Sequence, residues 1–254
     1  MKKIILLFAL ICSVVGFAQT KKTSKKINRK MSKKVLFVVT SHTQLGNTGD
    51  KTGYFLGEVT HPLEELTQAG YEVDFVSPKG GATEAYGINL EDPINKKYWE
   101  SADYQEKLAN TKKPSEVNAK DYAAIFYAGG HGTMWDFADN EALAKIAAEI
   151  YEQNGIVAAV CHGPAGLLNI KLSNGKYLVD GKKVSPFTNE EEQAVKLEKV
   201  VPFSLENTLK ERGAIIDKAD LWQDKISVDS RLITGQNPQS AKSVGKAIIK
   251  ELKK

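Results

Sequence analysis

Cysteine is nearly missing from this chain: its 254 residues hold two, Cys12 and Cys161. A disulfide framework is therefore excluded, and an isolated thiol draws attention to its own reactivity. Histidine is almost as scarce, at four residues, and none follows His162. His42 and His61 have no second ligand at metal-binding spacing, so no metal is expected. Glycine-rich phosphate loops and other cofactor motifs are lacking too, so no cofactor is expected. Acidic residues are absent from residues 1–34, which carry ten Lys/Arg. The formal charge of +4 is thus misleading, because residues 35–254 alone carry −6. A mildly acidic globular part argues against nucleic acid as a partner. Beyond the basic N-terminal stretch there is no internal repeat and no low-complexity segment.

Only one long apolar run is present, Ile4–Val15, preceded by Lys2-Lys3 and followed by Gly16-Phe17-Ala18. It is too short to span a membrane comfortably and has the shape of a secretory signal peptide cleaved after Ala18. The expected organisation is a signal peptide over 1–18, a basic disordered tether over 19–32 and one α/β domain over 33–254. Export to the periplasm or outside is expected, with no stable membrane insertion after cleavage. Lipidation at Cys12 is disfavoured by Ile11 before it, and an internal start at Met31 is the cytoplasmic alternative. Cleavage would leave Cys161 as the only thiol.

The domain begins with a buried strand, Val35–Thr40, and a polar loop over Ser41–Gly53. A helix is expected to start near Thr60-His61-Pro62, since proline suits a first turn. Strands are expected at Tyr71–Val76 and Tyr122–Ala128, separated by a polar, weakly helical insertion over Ala82–Pro114 that reads as a lid or interface segment. Asn140–Gln153 has helical spacing. Hairpins are expected over Lys176–Val184, with an Asp180-Gly181 turn, and over Ile226–Gly235. A short acidic helix begins near Glu190, and Pro238–Leu252 closes the chain as a helix. Strands alternating with helices predict a doubly wound, mostly parallel sheet with helices on both faces. In such sheets the chemistry sits at the carboxyl ends of the strands.

Everything is arranged around Gly155-Ile156-Val157-Ala158-Ala159-Val160-Cys161-His162-Gly163-Pro164. The apolar run reads as a buried strand, and Gly163-Pro164 ends it and starts a helix. Cys161 falls on the tight turn between them, like the nucleophile of a G-x-S-x-G elbow, with Ala159 and Cys161 in place of the first Gly and the Ser. Backbone N–H groups at a helix start favour a thiolate, so a lowered thiol pKa is expected.

These residues, with Ala128-Gly129-Gly130-His131-Gly132-Thr133 upstream, resemble the ThiJ/PfpI superfamily, which shares the class I glutamine amidotransferase-like, flavodoxin-like fold. Lys51-Thr52-Gly53 through Glu58 to His61-Pro62, Tyr71–Ser77 and Leu232–Pro238 resemble its heat-shock-chaperone-like glyoxalase III branch. The resemblance runs from about residue 33 to the C-terminus. It implies Cys161 as nucleophile, His162 as catalytic histidine and Glu58 as an acid bonded to the cysteine. It puts a third triad member in Phe187–Glu192, where Glu192 matches best and Glu191 is the lesser candidate. Gly130 and His162 match the backbone donors of the oxyanion site, and His131 lines the pocket. Read alone, Glu190–Glu192 would be a solvated helix start and Glu58 an exposed surface residue.

The implied activity is cofactor-free conversion of methylglyoxal or glyoxal, small dicarbonyl substrates, to D-lactate or glycolate, with repair of glycated proteins as a further family activity. A homodimer is one assembly open to such a chain. A cysteine peptidase or amidase would use the same Cys-His pair, and a holdase chaperone would need an exposed apolar patch instead. A glutamine amidotransferase is excluded, because its triad histidine lies far downstream of the cysteine.

Overall fold

The structure is a computed structural model that describes residues 32–254. The expected signal peptide and all but Ser32 of the expected tether lie outside the described residues. In chain order the elements begin with β1 (Lys34–Val38), β2 (Tyr54–Phe55), α1 (Leu56–Gln68), β3 (Glu72–Val76) and β4 (Ala85–Tyr86). Next come α2 (Pro93–Trp99), α3 (Ala102–Ala109), β5 (Ala124–Tyr127), α4 (Thr133–Asp136), α5 (Glu141–Glu152) and β6 (Ile156–Val160). The last third holds β7 (Lys183–Val184), α6 (Asn189–Ala194), α7 (Leu205–Glu211), β8 (Ile215–Ile216), β9 (Ile226–Asp229), β10 (Leu232–Gly235) and α8 (Ala241–Leu252).

Six strands form the central sheet in the order β3-β1-β5-β6-β10-β9. The first five are parallel and β9 closes one edge antiparallel. This is the flavodoxin-like doubly wound arrangement, so the expected fold class holds. Strand side chains alternate between two cores, as a period of two requires. From β6, Val157 and Ala159 join one core, while Ile156, Ala158 and Val160 join the other. Leu143, Ile146 and Ile150 of α5 cover the first face. Leu56, Val59, Leu63 and Leu66 of α1 cover the second together with Val244 and Ile248 of α8. Among the described residues no helix is long and apolar enough to cross a membrane.

Two local expectations are corrected. Helix α1 starts at Leu56, not near Thr60, so Pro62 lies inside it. Pro62 packs where α1 meets α8, at Gly245, where an added Cβ would come within 2.8 Å of the Pro62 Cα. The earlier start matters, because it places Glu58 in the first turn, under the sheet's carboxyl edge. Lys176–Val184 is not a hairpin either: β7 pairs in parallel with β8, and Tyr177 bridges back to Lys171. The Asp180-Gly181 turn forms, with Gly181 at φ +71°, but it feeds a different partner.

Candidate active site

Three strand ends converge. The turn after β5 carries Gly129-Gly130-His131, the turn after β6 carries Cys161-His162, and the loop after β1 runs into β2 and α1. Thr133 ties two of these turns together, its hydroxyl facing the carbonyls of Gly130 at 2.9 Å and His162 at 3.1 Å. The Phe55 N–H donates to the Gly129 carbonyl at 3.1 Å and ties in the third.

Cys161 sits at φ +59°, in the left-handed region that costs a side chain about 1–2 kcal/mol. Two hydrogen bonds hold it there: its N–H donates to the Gly235 carbonyl, and its carbonyl accepts from the Phe187 N–H, both at 2.8 Å. The strand-to-turn elbow expected from the sequence is therefore present, but it leads into one 3-10 turn, Gly163–Leu167, not an α-helix. The expectation of a lowered thiol pKa is overturned. Cys161 is 4% exposed, and burial together with the neighbouring Glu58 carboxyl pushes its thiol well up, against a weaker pull from the His162 N–H.

His162 is fully buried, its Nδ1 3.3 Å from the Cys161 sulfur and its Nε2 2.8 Å from Glu192 Oε2. Burial lowers its pKa to about 4, with the His131 ring as the next cause. Phe187 covers the His162 ring at 4.3 Å. Glu192 is held down to about 2, because hydrogen bonds from His131 and His162 outweigh its burial. An ionised carboxylate only accepts, so Nε2 of His162 carries its proton and Nδ1 faces the sulfur with a free lone pair.

Of the two candidate acids, Glu192 is the one that meets His162. Glu191 faces the other way, accepting at Oε1 from the Trp222 N–H and the Gln236 and Asn237 amides, and at Oε2 from Thr188. It is the N3 residue of a capping box with Thr188.

Glu58 is fully buried, and burial raises its carboxyl to about 8. It lies against the Cys161 thiol and the Gly129 backbone, and a Cβ on Gly129 would collide with Oε2. Neither oxygen meets a partner at full hydrogen-bond geometry. At neutral pH the group is a protonated acid beside the sulfur. Gly130 adopts φ +111°, and a Cβ there would strike the Gly53 carbonyl and come within 2.7 Å of the Phe55 nitrogen. Only glycine lets this turn press against β2.

His131 does more than line the pocket. Its Nε2 is 3.0 Å from Glu192 Oε1, its Nδ1 is 2.9 Å from the Tyr86 hydroxyl, and its ring centre is 4.1 Å from that of His162. Tyr86 comes from the inserted segment, carried on β4 by parallel pairing with β2. His131, His162 and Glu192 have donor atoms within 4.8 Å of one another, close enough to surround a cation. In this arrangement the three are engaged with each other instead. The sequence does not single out Tyr86 or the Phe187 ring, and it places His131 as pocket lining without its bonds to Glu192 and Tyr86.

The DJ-1/PfpI family pattern matches residues 52–251. The glutathione-independent glyoxalase HSP31 of Saccharomyces cerevisiae is 37% identical over 240 residues, covering 87% of this chain and 98% of its own. The crystal structure of glyoxalase III from Candida albicans superposes with a TM-score of 0.80 at 30% identity, over 86% of this chain and 96% of that one. The 24 kDa rapid encystment protein of Francisella tularensis gives 0.84 at 42% identity, over 87% and 99%. With the elbow, the glycine turn and both carboxyls lying inside the matched span, the chain belongs to the DJ-1/PfpI family.

Proposed function

We propose that this chain is a glutathione-independent glyoxalase that converts methylglyoxal to D-lactate, and glyoxal to glycolate, through a hemithioacetal on Cys161. The observation that carries the reading is the buried Glu58 carboxyl set against the sulfur opposite a Glu192-bound His162. A simple hydrolase has no use for that acid, whereas an isomerising route does.

The resting thiol is uncharged, so His162 acts as general base from the outset. As the Cys161 sulfur attacks the aldehyde carbon, its proton passes to His162 Nδ1. The alkoxide formed is met by the N–H groups of Gly130 and His162, and then takes the proton back from His162. His162 next removes the hydrogen on that carbon while Glu58 protonates the neighbouring carbonyl oxygen, giving an enediol. The Glu58 carboxylate then recovers the proton of the first hydroxyl, and His162 delivers its own to the second carbon. A lactoyl thioester remains, and both residues are back in their starting states. Water, deprotonated by His162, releases lactate and the thiol.

Both groups must be in the right form, His162 neutral and Glu58 protonated. The first requires a pH above about 4 and the second a pH below about 8. A kcat/KM profile with an acid limb near the first value and a basic limb near the second is expected. A profile still rising above pH 9 would instead mean that Cys161 must ionise before it reacts.

The deciding assay is lactate formation from methylglyoxal without glutathione, beside a peptidase assay on the same preparation. Lactate without peptide cleavage supports the reading, and the reverse result replaces it with a cysteine peptidase. Export is part of the same proposal, resting on Lys2-Lys3, the Ile4–Val15 run and Ala18. Mass spectrometry of the purified enzyme should find Gln19 at its N-terminus, and a start at Met1 or Met31 would overturn that part.

A further inference from the structure

We propose that His131, held in turn by Tyr86, is a positioning residue that fixes the Glu192 carboxylate and, through it, the working tautomer of His162. The inference rests on the glyoxalase reading for its kinetic consequence, but its geometry stands independently. A triad acid usually serves one histidine. Here the two oxygens of Glu192 are divided between two imidazoles, Oε2 to His162 at 2.8 Å and Oε1 to His131 at 3.0 Å. Each oxygen of a buried carboxylate needs a donor, because an unpaired one bears the full cost of desolvation. Without His131, Oε1 would have to seek another donor, and the carboxylate could turn about its last bond and release His162.

Proton accounting gives the line a direction. Glu192 accepts at both oxygens, so His131 carries its proton on Nε2, and its Nδ1 must accept. Tyr86 is then the donor to Nδ1, at 2.9 Å. The Tyr86 oxygen also accepts from the His131 backbone N–H at 3.1 Å, so one hydroxyl grips both the ring and the main chain. Tyr86 is kept in its protonated form by burial and by the neighbouring Cys161 and Glu58. The order of donation runs from Tyr86 to His131 to Glu192. From the other side His162 donates to Glu192, and the Cys161 thiol faces His162 Nδ1. Each contact in this line has one allotted donor, and reversing the His162–Glu192 contact would put a proton on the His162 nitrogen that must receive one.

The titratable groups around this line are Glu58 from α1, Tyr86 from β4, His131 from the turn after β5, Cys161 and His162 from the elbow, and Glu191 and Glu192 from α6. Of these, Glu192 and Glu191 favour positive charge on His162, and the hydrogen bond that Glu192 accepts from His131 draws negative charge away from that carboxylate. Removing His131 therefore raises the pKa of His162. The base is then protonated, and idle, up to a higher pH, so the acid limb moves upward.

The test compares wild type with His131→Ala, His131→Gln and Tyr86→Phe. It measures kcat and KM for methylglyoxal, the pH dependence of Cys161 alkylation by iodoacetamide, and thermal stability. His131→Ala should lower kcat by about 10- to 100-fold, the scale of a misplaced catalytic group, with KM within about twofold. The alkylation profile should shift upward by about half a pH unit or more. His131→Gln keeps a donor for Glu192 and should restore most of kcat and return the profile most of the way to that of wild type. Tyr86→Phe should act in the same direction as His131→Ala, and the double variant should be no worse than His131→Ala, as expected for two links of one chain. A loss carried by KM would make His131 a substrate contact and overturn the proposal. So would lowered stability with an unmoved alkylation profile, which marks a purely structural residue. If His131→Ala does not fold, the same two readings are taken from Tyr86→Phe. Because alkylation needs no turnover, absence of lactate in wild type would defeat the glyoxalase reading and still leave this one decided.

Discussion

Glu58→Gln is expected to lower methylglyoxal turnover by a factor on the order of 10² or more while leaving Cys161 open to alkylation, the loss appropriate to removing general acid–base help. The glutamine keeps the length and volume of the side chain but cannot give up and recover a proton. Both the enediol step and its collapse then lose their oxygen-side partner, whereas the first attack, which depends on His162, survives. The same variant should be more stable than wild type, and the protonation states give the sign. The Glu58 carboxyl has a pKa raised to about 8, against 4.5 for an ordinary glutamate. Its effect on folding is least harmful below about pH 4.5, where both states are protonated. It becomes steadily more unfavourable as pH rises to about 8, by roughly 1.4 kcal/mol per pH unit. Heat-denaturation midpoints of wild type and Glu58→Gln should therefore move apart between pH 5 and pH 8. Parallel midpoints, or wild-type turnover in the variant, would show that the carboxyl has no part in the proton traffic.

Cys161→Ala should reduce lactate formation to background, a loss on the order of 10⁴ or more, since the nucleophile acts as a unit with its base. The effect on stability separates chemistry from backbone. Alanine inherits φ +59°, which suits a residue without Cβ far better. Cys161→Gly should accordingly be more stable than Cys161→Ala by about 1 kcal/mol, or a few degrees in Tm at this chain length. Equal midpoints would mean that the turn relaxes once the thiol is gone and that the cysteine does not sit under backbone strain.

The parts of the site that repeat a local rule are legible in the sequence. Buried parallel strands announce themselves as apolar runs, which places Val35–Thr40, Tyr122–Ala128 and the strand before Cys161, and with them the turns at their carboxyl ends. Three consecutive glutamates leave Glu191 and Glu192 both open in the sequence; in the structure Glu191 closes a capping box with Thr188, and Glu192 faces His162. The upward shift of the Cys161 thiol is not legible, because it depends on how completely the site is covered and on how near Glu58 lies. Tyr86 leaves no trace either. It stands on a two-residue strand whose only specification is its pairing with Tyr54–Phe55. Pro62 misleads about the start of α1, because its own preference is for a first turn, whereas the helix has already run from Leu56 when it reaches Pro62.

The bond from the Cys161 N–H to the Gly235 carbonyl has a consequence for the history of each molecule. Gly235 ends β10, the last parallel strand to be synthesised, and β10 must pair with β6 before that carbonyl is in place. Every residue assigned to the chemistry leaves the ribosome earlier, yet the nucleophile cannot be locked into its left-handed turn until the C-terminal hairpin docks. Contacts so distant along the chain form late and slowly. A nascent or truncated chain thus exposes an ordinary, unarmed cysteine, and catalytic competence appears only on completion of the sheet.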